Sequence, residues 1–151
     1  MIDLQRILVP TDLSIASIPA AEHAKQLADT FGAKVHVLHV LEDPVTIVGE
    51  PMATAGLPDI ISLRESMREA LRNWSKHHIG DDSNVISVMR RGKHFAQILR
   101  HADDEKIDLI VMGTHGTSGI EHLLLGSVAE NVVRTADCPV LTVRPSQAAS
   151  A

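Results

Sequence analysis

Five short apolar runs punctuate the chain, at residues 6–9, 34–41, 84–89, 109–112 and 140–143, each bounded by polar or turn-forming residues. In the second, Val35, Val37 and Val40 are β-branched; in the fourth, Leu109, Ile110, Val111 and Met112 follow one another without a polar break. Runs of this length and composition predict parallel strands buried on both faces.

Between the runs the period of the apolar positions becomes helical. Residues 20–31 place Ala21, Ala24, Leu27, Ala28 and Phe31 on one side, and Gly32 supplies a stop. Residues 60–79 space Leu63, Met67, Ala70, Leu71 and Trp74 along one face, ahead of a Gly80-Asp81-Asp82 turn. Phe95, Ile98, Leu99 and Ala102 form an i, i+3, i+4, i+7 stripe. In the last helical stretch Val128, Ala129, Val132, Val133 and Ala136 are expected inward, and Ser127 to Glu130 reads as a capping box. Strand and helix alternate, which predicts an α/β fold with a parallel sheet and right-handed crossovers. Residues 42–59 stand apart. They hold Pro44, Gly49, Pro51, Gly56 and Pro58 without a period, so a lid over the carboxyl edge of the sheet and a passive loop both stay open.

Composition narrows the class. A chain of 151 residues is expected to form one domain with its own core, ending at residue 146, with 147–151 as a frayed tail. Aromatic residues are only Phe31, Trp74 and Phe95, too few for a stacking platform on single strands, and the net charge of -5 opposes binding to nucleic acid or anionic membrane. No apolar run reaches membrane-spanning length, and Met1 to Arg6 lacks a basic stretch followed by an apolar signal core. The lone Cys138 excludes an internal disulfide and suits a reducing compartment, so a cytoplasmic protein is expected. Nine histidines raise the question of a metal. Their spacing answers it: His36 and His39 point to opposite faces of a strand, and no Cys/His array or H-E-x-x-H helix exists.

The chemistry concentrates after the fourth strand. Gly113-Thr114-His115-Gly116-Thr117-Ser118-Gly119 leads through Leu123, Leu124 and Leu125 to Gly126-Ser127 and a helix. Strand, glycine-rich loop and helix entry together suit a phosphate. Glycine lets the backbone come close, and the first N–H groups of a helix are unpaired at the positive end of its dipole. Neither the Walker loop nor the dinucleotide fingerprint is present. What remains is Gly113-x-x-Gly116, nine residues, then Gly126-Ser127.

That spacing resembles the G-2x-G-9x-G-[ST] motif in the ATP-binding branch of the universal stress protein family. The flanking strands agree with the resemblance: Ile7-Leu8-Val9-Pro10-Thr11-Asp12 near the start, Asp108 to Met112 before the loop, and Cys138-Pro139-Val140-Leu141-Thr142-Val143 at the end. The resemblance covers nearly the whole chain. It implies an open five-stranded parallel sheet ordered 3-2-1-4-5 with helices on both faces, and so brings Asp12 beside the glycine loop. Carried over position by position, it implies that Pro10, Thr11, Asp12 and Val40 hold a nucleoside. Met112, Gly113, His115, Gly116, Gly126, Ser127 and Val128 would surround ribose and phosphates. Many members carry Arg where His115 stands, so this loop has less fixed positive charge.

The implied cofactor is ATP or another adenine nucleotide, with magnesium arriving on the triphosphate. The implied protein is a regulator in stress adaptation, homodimeric through the edge strand Val140–Val143. No general base and no lysine lies in the glycine loop, so hydrolysis is expected to be slow at most. Two rival readings stand beside this one: a slow ATPase or phosphotransferase, and a protein-interaction module independent of nucleotide.

Overall fold

The computed structural model describes residues 1–42, 57–115 and 125–145. Strands β1 (Arg6–Pro10), β2 (Lys34–Leu41), β3 (Val85–Arg91), β4 (Leu109–Gly113) and β5 (Val140–Val143) form one sheet ordered β3-β2-β1-β4-β5, with every pairing parallel. Helices α1 (Ile18–Phe31), α2 (Leu57–His78), α3 (His94–Asp104) and α4 (Ser127–Thr135) connect them, with a 3-10 turn at Ile15–Ser17 before α1.

Alternation along the strands sorts the core into two layers. Ile7, Val9, Val35, Val37 and Val111 face α1 and α2, where Ala20, Ala21, Ala24, Leu71 and Trp74 meet them. Leu8, Leu38, Val40, Ile110 and Met112 face α3 and α4, against Ile98, Ala102, Ala129 and Val132. The adjacent interior strands β1 and β4 are apolar on both faces because both faces are covered. Each fully buried Leu, Ile or Val adds roughly 1.5–3 kcal/mol of hydrophobic stabilisation. Alanine on α1 lets that helix lie close to the sheet. Its end is fixed by Gly32, whose φ of 69° is the left-handed conformation that glycine adopts without a Cβ penalty.

Several sequence expectations shift. Helix α2 begins at Leu57, three residues earlier than its apolar period suggests, with Pro58 in a first turn that needs no N–H from it. Only part of its expected inner stripe is buried: Leu71 and Trp74 are, whereas Leu63 is exposed. Phe31 and Val133 are also exposed, one at the last position of α1 and the other on the outer side of α4. The capping box does not form. Gly126 is the N-cap of α4, with extended backbone and no side-chain cap, and Ser127 is the first helical residue. Glu130 instead pairs with Arg134 one turn on, at 2.8 Å. Most of the proline-rich segment and the tail, residues 43–56 and 146–151, lie outside the described residues.

Candidate functional site

The strand order reverses between β1 and β4, which run side by side while their connections leave in opposite directions. The loops at their carboxyl ends therefore part and leave a crevice, the place where open α/β sheets take ligands. Here it is a cavity of about 380 Å³, within the range of small-molecule sites.

The loop after β1 is held by a directional set of hydrogen bonds. The N–H of Thr11 donates to the Leu38 carbonyl at 2.9 Å, and His39 Nδ1 donates to the Thr11 carbonyl at 2.9 Å. The Thr11 hydroxyl accepts from the N–H of Leu13 at 2.9 Å. Ser17 Oγ gives its proton to the Ser14 carbonyl, so the Thr11 hydroxyl donates to Ser17 at 2.8 Å. The proton of Thr11 is thus committed to the loop itself. Asp12 Oδ1 accepts from the N–H of Ser14 at 3.0 Å, an Asx turn rather than a cap on α1, whose N-cap is Ser17. Between them Leu13 is held at a φ of 66°, a conformation that costs a non-glycine residue energy and that the surrounding bonds enforce.

The second loop closes on itself. The N–H of Thr114 donates to the Val143 carbonyl at 3.1 Å, and the Thr114 carbonyl accepts from the N–H of Gly126 at 2.7 Å. The two ends of the glycine loop are therefore pinned together at the mouth of α4. A Cβ on Gly126 would stand 3.2 Å from that carbonyl, and one on Gly113 would stand 3.2 Å from the Ala16 carbonyl. The first-turn N–H groups of α4 have no intrahelical partner, and Ser127, Val128 and Ala129, which carry them, line the cavity beside Gly126, whose own N–H is taken by Thr114. His115 completes this side. Its Nδ1 lies 3.0 Å from the Thr114 hydroxyl, and its Nε2 is buried without a hydrogen-bond partner among the described residues. A buried polar atom left unmatched in this way asks for a ligand.

Of the residues singled out in the sequence, Pro10, Thr11, Asp12, Val40, Met112, Gly113, His115, Gly126, Ser127 and Val128 converge on the cavity wall. Gly116, together with Thr117, Ser118, Gly119 and His122, lies outside the described residues. Sequence reading missed Ser17, Leu38, His94, Ile98, Thr114 and Ala129, which also line the cavity. Leu38 carried a findable signal, since period-2 alternation places it beside Val40 on one face of β2. His94 and Ile98 carried none. They arrive from α3, whose stripe speaks only of burial. The cavity is apolar where β2, α3 and β4 wall it and polar where the two loops close it. Among the described residues, no three His, Cys, Asp or Glu side chains gather as a metal site, and no helix is long and apolar enough to cross a membrane.

Fold and cavity define the class: a doubly wound parallel α/β domain with a ligand crevice at its switch point, floored by apolar side chains and rimmed by backbone donors. Residues 3–144 match the model of the universal stress protein family, and the chain belongs to that family. It is 40% identical over 142 residues to universal stress protein MJ0531 of Methanocaldococcus jannaschii, covering 93% of this chain and 82% of that one. The solved structure of protein MJ0577 superposes with a TM-score of 0.80 at 30% identity, covering 97% of this chain and 99% of that one. A universal stress protein crystallised in complex with cAMP superposes with a TM-score of 0.64 at 30% identity, over 96% and 100% of the two chains.

Proposed function

We propose that this chain is an adenine-nucleotide-binding regulatory protein acting in stress adaptation, with ATP as its principal ligand. The observation that carries the reading is the convergence of the β1 loop and the glycine loop on one cavity, where the buried Nε2 of His115 and the unpaired N–H groups of α4 face inward. The base and ribose suit the apolar wall of Val40, Met112 and Leu38, with the Asp12 carboxylate at the rim as an acceptor for hydroxyl or amine protons. The phosphates suit Gly113, Gly126, Ser127 and Val128, where backbone lies bare and a Cβ on either glycine would crowd it. Magnesium would come bound to the phosphates and water. The cAMP complex of a relative at 30% identity supports an adenine ligand in this fold.

The acting unit is a homodimer joined along β5. That strand is a sheet edge, and Leu141 on it is exposed. The lone Cys138 suits a reducing, cytoplasmic setting. The test is equilibrium titration of ATP, ADP, AMP and cAMP into protein stripped of bound nucleotide. Saturable binding of one molecule per chain supports the reading. Absence of binding for all four at millimolar concentration overturns it in favour of a nucleotide-independent interaction module.

A further inference from the structure

Beneath the apolar wall of the cavity lies a polar chain, buried at its two histidines and reaching solvent at Asp104, that the nucleotide reading does not use. On β3, Arg90 sits in register with Val40 of β2. Its Nε–H donates to Nδ1 of His101 on α3 at 3.1 Å, and its Nη2 donates to Asp104 Oδ2 at 3.1 Å. With Nδ1 of His101 occupied as an acceptor, the ring carries its proton on Nε2 and donates to Nδ1 of His36 on β2, at 3.0 Å. Both rings are buried, His36 at 5% and His101 at 2% exposure, and they meet edge to face with centroids 5.2 Å apart.

The chain has one direction only. A proton added to Nδ1 of His101 would face the Arg90 N–H, and one added to Nδ1 of His36 would face the His101 N–H. Either addition replaces a hydrogen bond by two opposed donors in a buried place. The elements it ties are the ones that wall the cavity: Leu38 and Val40 follow His36 on the same face of β2, and His94 and Ile98 precede His101 on α3.

We propose that Arg90, His101 and His36 are positioning residues that form a proton-sensitive clamp between β3, α3 and β2. The clamp sets the spacing of the Leu38, Val40, His94 and Ile98 wall, and acidification loosens it.

The charged groups around the pair come from every neighbouring element. Arg6 of β1, Lys34 of β2 and Arg90 of β3 oppose a further positive charge, while Asp104 and Glu105 at the end of α3 favour it. Burial is the largest influence on both rings and opposes protonation. With help from Arg90 it pushes His101 down to about 4, and it lowers His36 as well. A histidine depressed in the folded state contributes stability that is present above its unfolded value near 6.5 and is lost progressively as pH falls toward the folded one. The seam between α3 and the end of β2 has a second histidine contact, His94 Nε2 at 3.4 Å from Glu42 Oε1.

The link to ligand affinity rests on the nucleotide reading; the clamp itself does not, and two measurements separate them. The first is urea unfolding of ligand-free protein at pH 7.5 and pH 5. The second is the ATP dissociation constant at pH 7.5 and pH 4. Both compare wild type with His101→Gln, whose amide keeps an acceptor for Arg90 and a donor for His36 but does not titrate. His36→Asn, which keeps an acceptor for His101, serves if that variant does not fold.

On acidification the unfolding constant of wild type should rise by on the order of tenfold more than that of the variant, from the depression of His101. With His101 half-protonated near pH 4, the wild-type ATP affinity should fall by up to about twofold more than that of the variant, and protonation of the nucleotide cancels in this comparison. Equal pH responses in the urea arm, or greater wild-type stability in acid, overturn the clamp. A positive urea arm with equal ATP ratios overturns its coupling to the cavity. If ATP binds at neither pH, ATP is not the ligand of this cavity, and the urea arm alone decides the clamp.

Discussion

A methyl group built on Gly126 stands 3.2 Å from the Thr114 carbonyl oxygen and 3.6 Å from the Cα of His115, both backbone atoms of the loop that Gly126 closes. Valine there crowds the turn at the mouth of α4, between the loop and the backbone donors proposed for phosphate. Gly126→Val should therefore weaken ATP binding well over tenfold, at least ~1.4 kcal/mol, while the sheet stays folded. Calorimetry beside a circular dichroism melt checks this; wild-type affinity in a folded variant would move the phosphate site elsewhere. At this scale the sequence pointed to Gly113, Gly126 and Asp12, and the structure brings all three to the cavity wall. The sequence was a poor guide to how side chains share work. The Thr11 proton is committed to Ser17, and the Ser127-to-Glu130 capping pattern gives way to a Glu130–Arg134 pair, because Gly126 takes the cap position. A cap motif specifies local hydrogen bonds only when the preceding residue does not start the helix first.

At the scale of elements, β5 is, with β3, one of the two edge strands of the sheet, and its ladder is unfinished. The N–H of Ile110 donates to the Pro139 carbonyl, and the N–H of Thr114 donates to the Val143 carbonyl. In a parallel pair the residues bonded to one neighbour alternate, so Val140 and Thr142 turn their N–H and C=O groups to the open edge. Such an edge invites a second strand, and in the proposed homodimer two-fold symmetry would pair β5 antiparallel with its own copy. Thr142→Pro removes an outward N–H without touching the ladder to β4. Light scattering at micromolar concentration should show two chains for wild type and one for this variant; a wild-type mass of one chain contradicts the pairing. The strands themselves were legible, β2 and β5 to the residue, because short apolar runs rich in β-branched residues and bounded by turn formers leave little choice of period. Helix faces were less so. The stripe of α2 runs past the body it packs on, leaving Leu63 in solvent, and periodicity cannot say how far the neighbouring surface extends.

Taken whole, the molecule places its loops for binding and supplies little for chemistry. No Lys or Arg occurs from Gly113 to Ser127, and none lines the described cavity. Stabilisation of a transferring phosphoryl group would rest on backbone donors, His115 and a nucleotide-borne metal. Hydrolysis of ATP should accordingly run far below the roughly 10 per second of typical enzymes. A metal-dependent rate near that value, surviving purification and lost in Asp12→Ala, would make the protein an enzyme.

The sheet order and the meeting of β1 and β4 followed from the family resemblance rather than from any single run, since pairing between residues a hundred positions apart leaves no local mark. The same distance hid His94 and Ile98 from a linear reading, although they complete the wall begun by Val40.

The central claim is that an adenine nucleotide occupies this cavity, and methionine supplies a direct reporter. Met112 lines the cavity from β4, whereas Met67 on α2 and Met89 on β3 do not. With the methionine methyl groups labelled and assigned by Met→Leu substitution, ATP is titrated into nucleotide-free protein and followed by nuclear magnetic resonance. A saturable shift of the Met112 methyl resonance is expected, with Met67 and Met89 unmoved. A saturable ATP response that leaves Met112 unmoved, or no response at millimolar ATP, would contradict it.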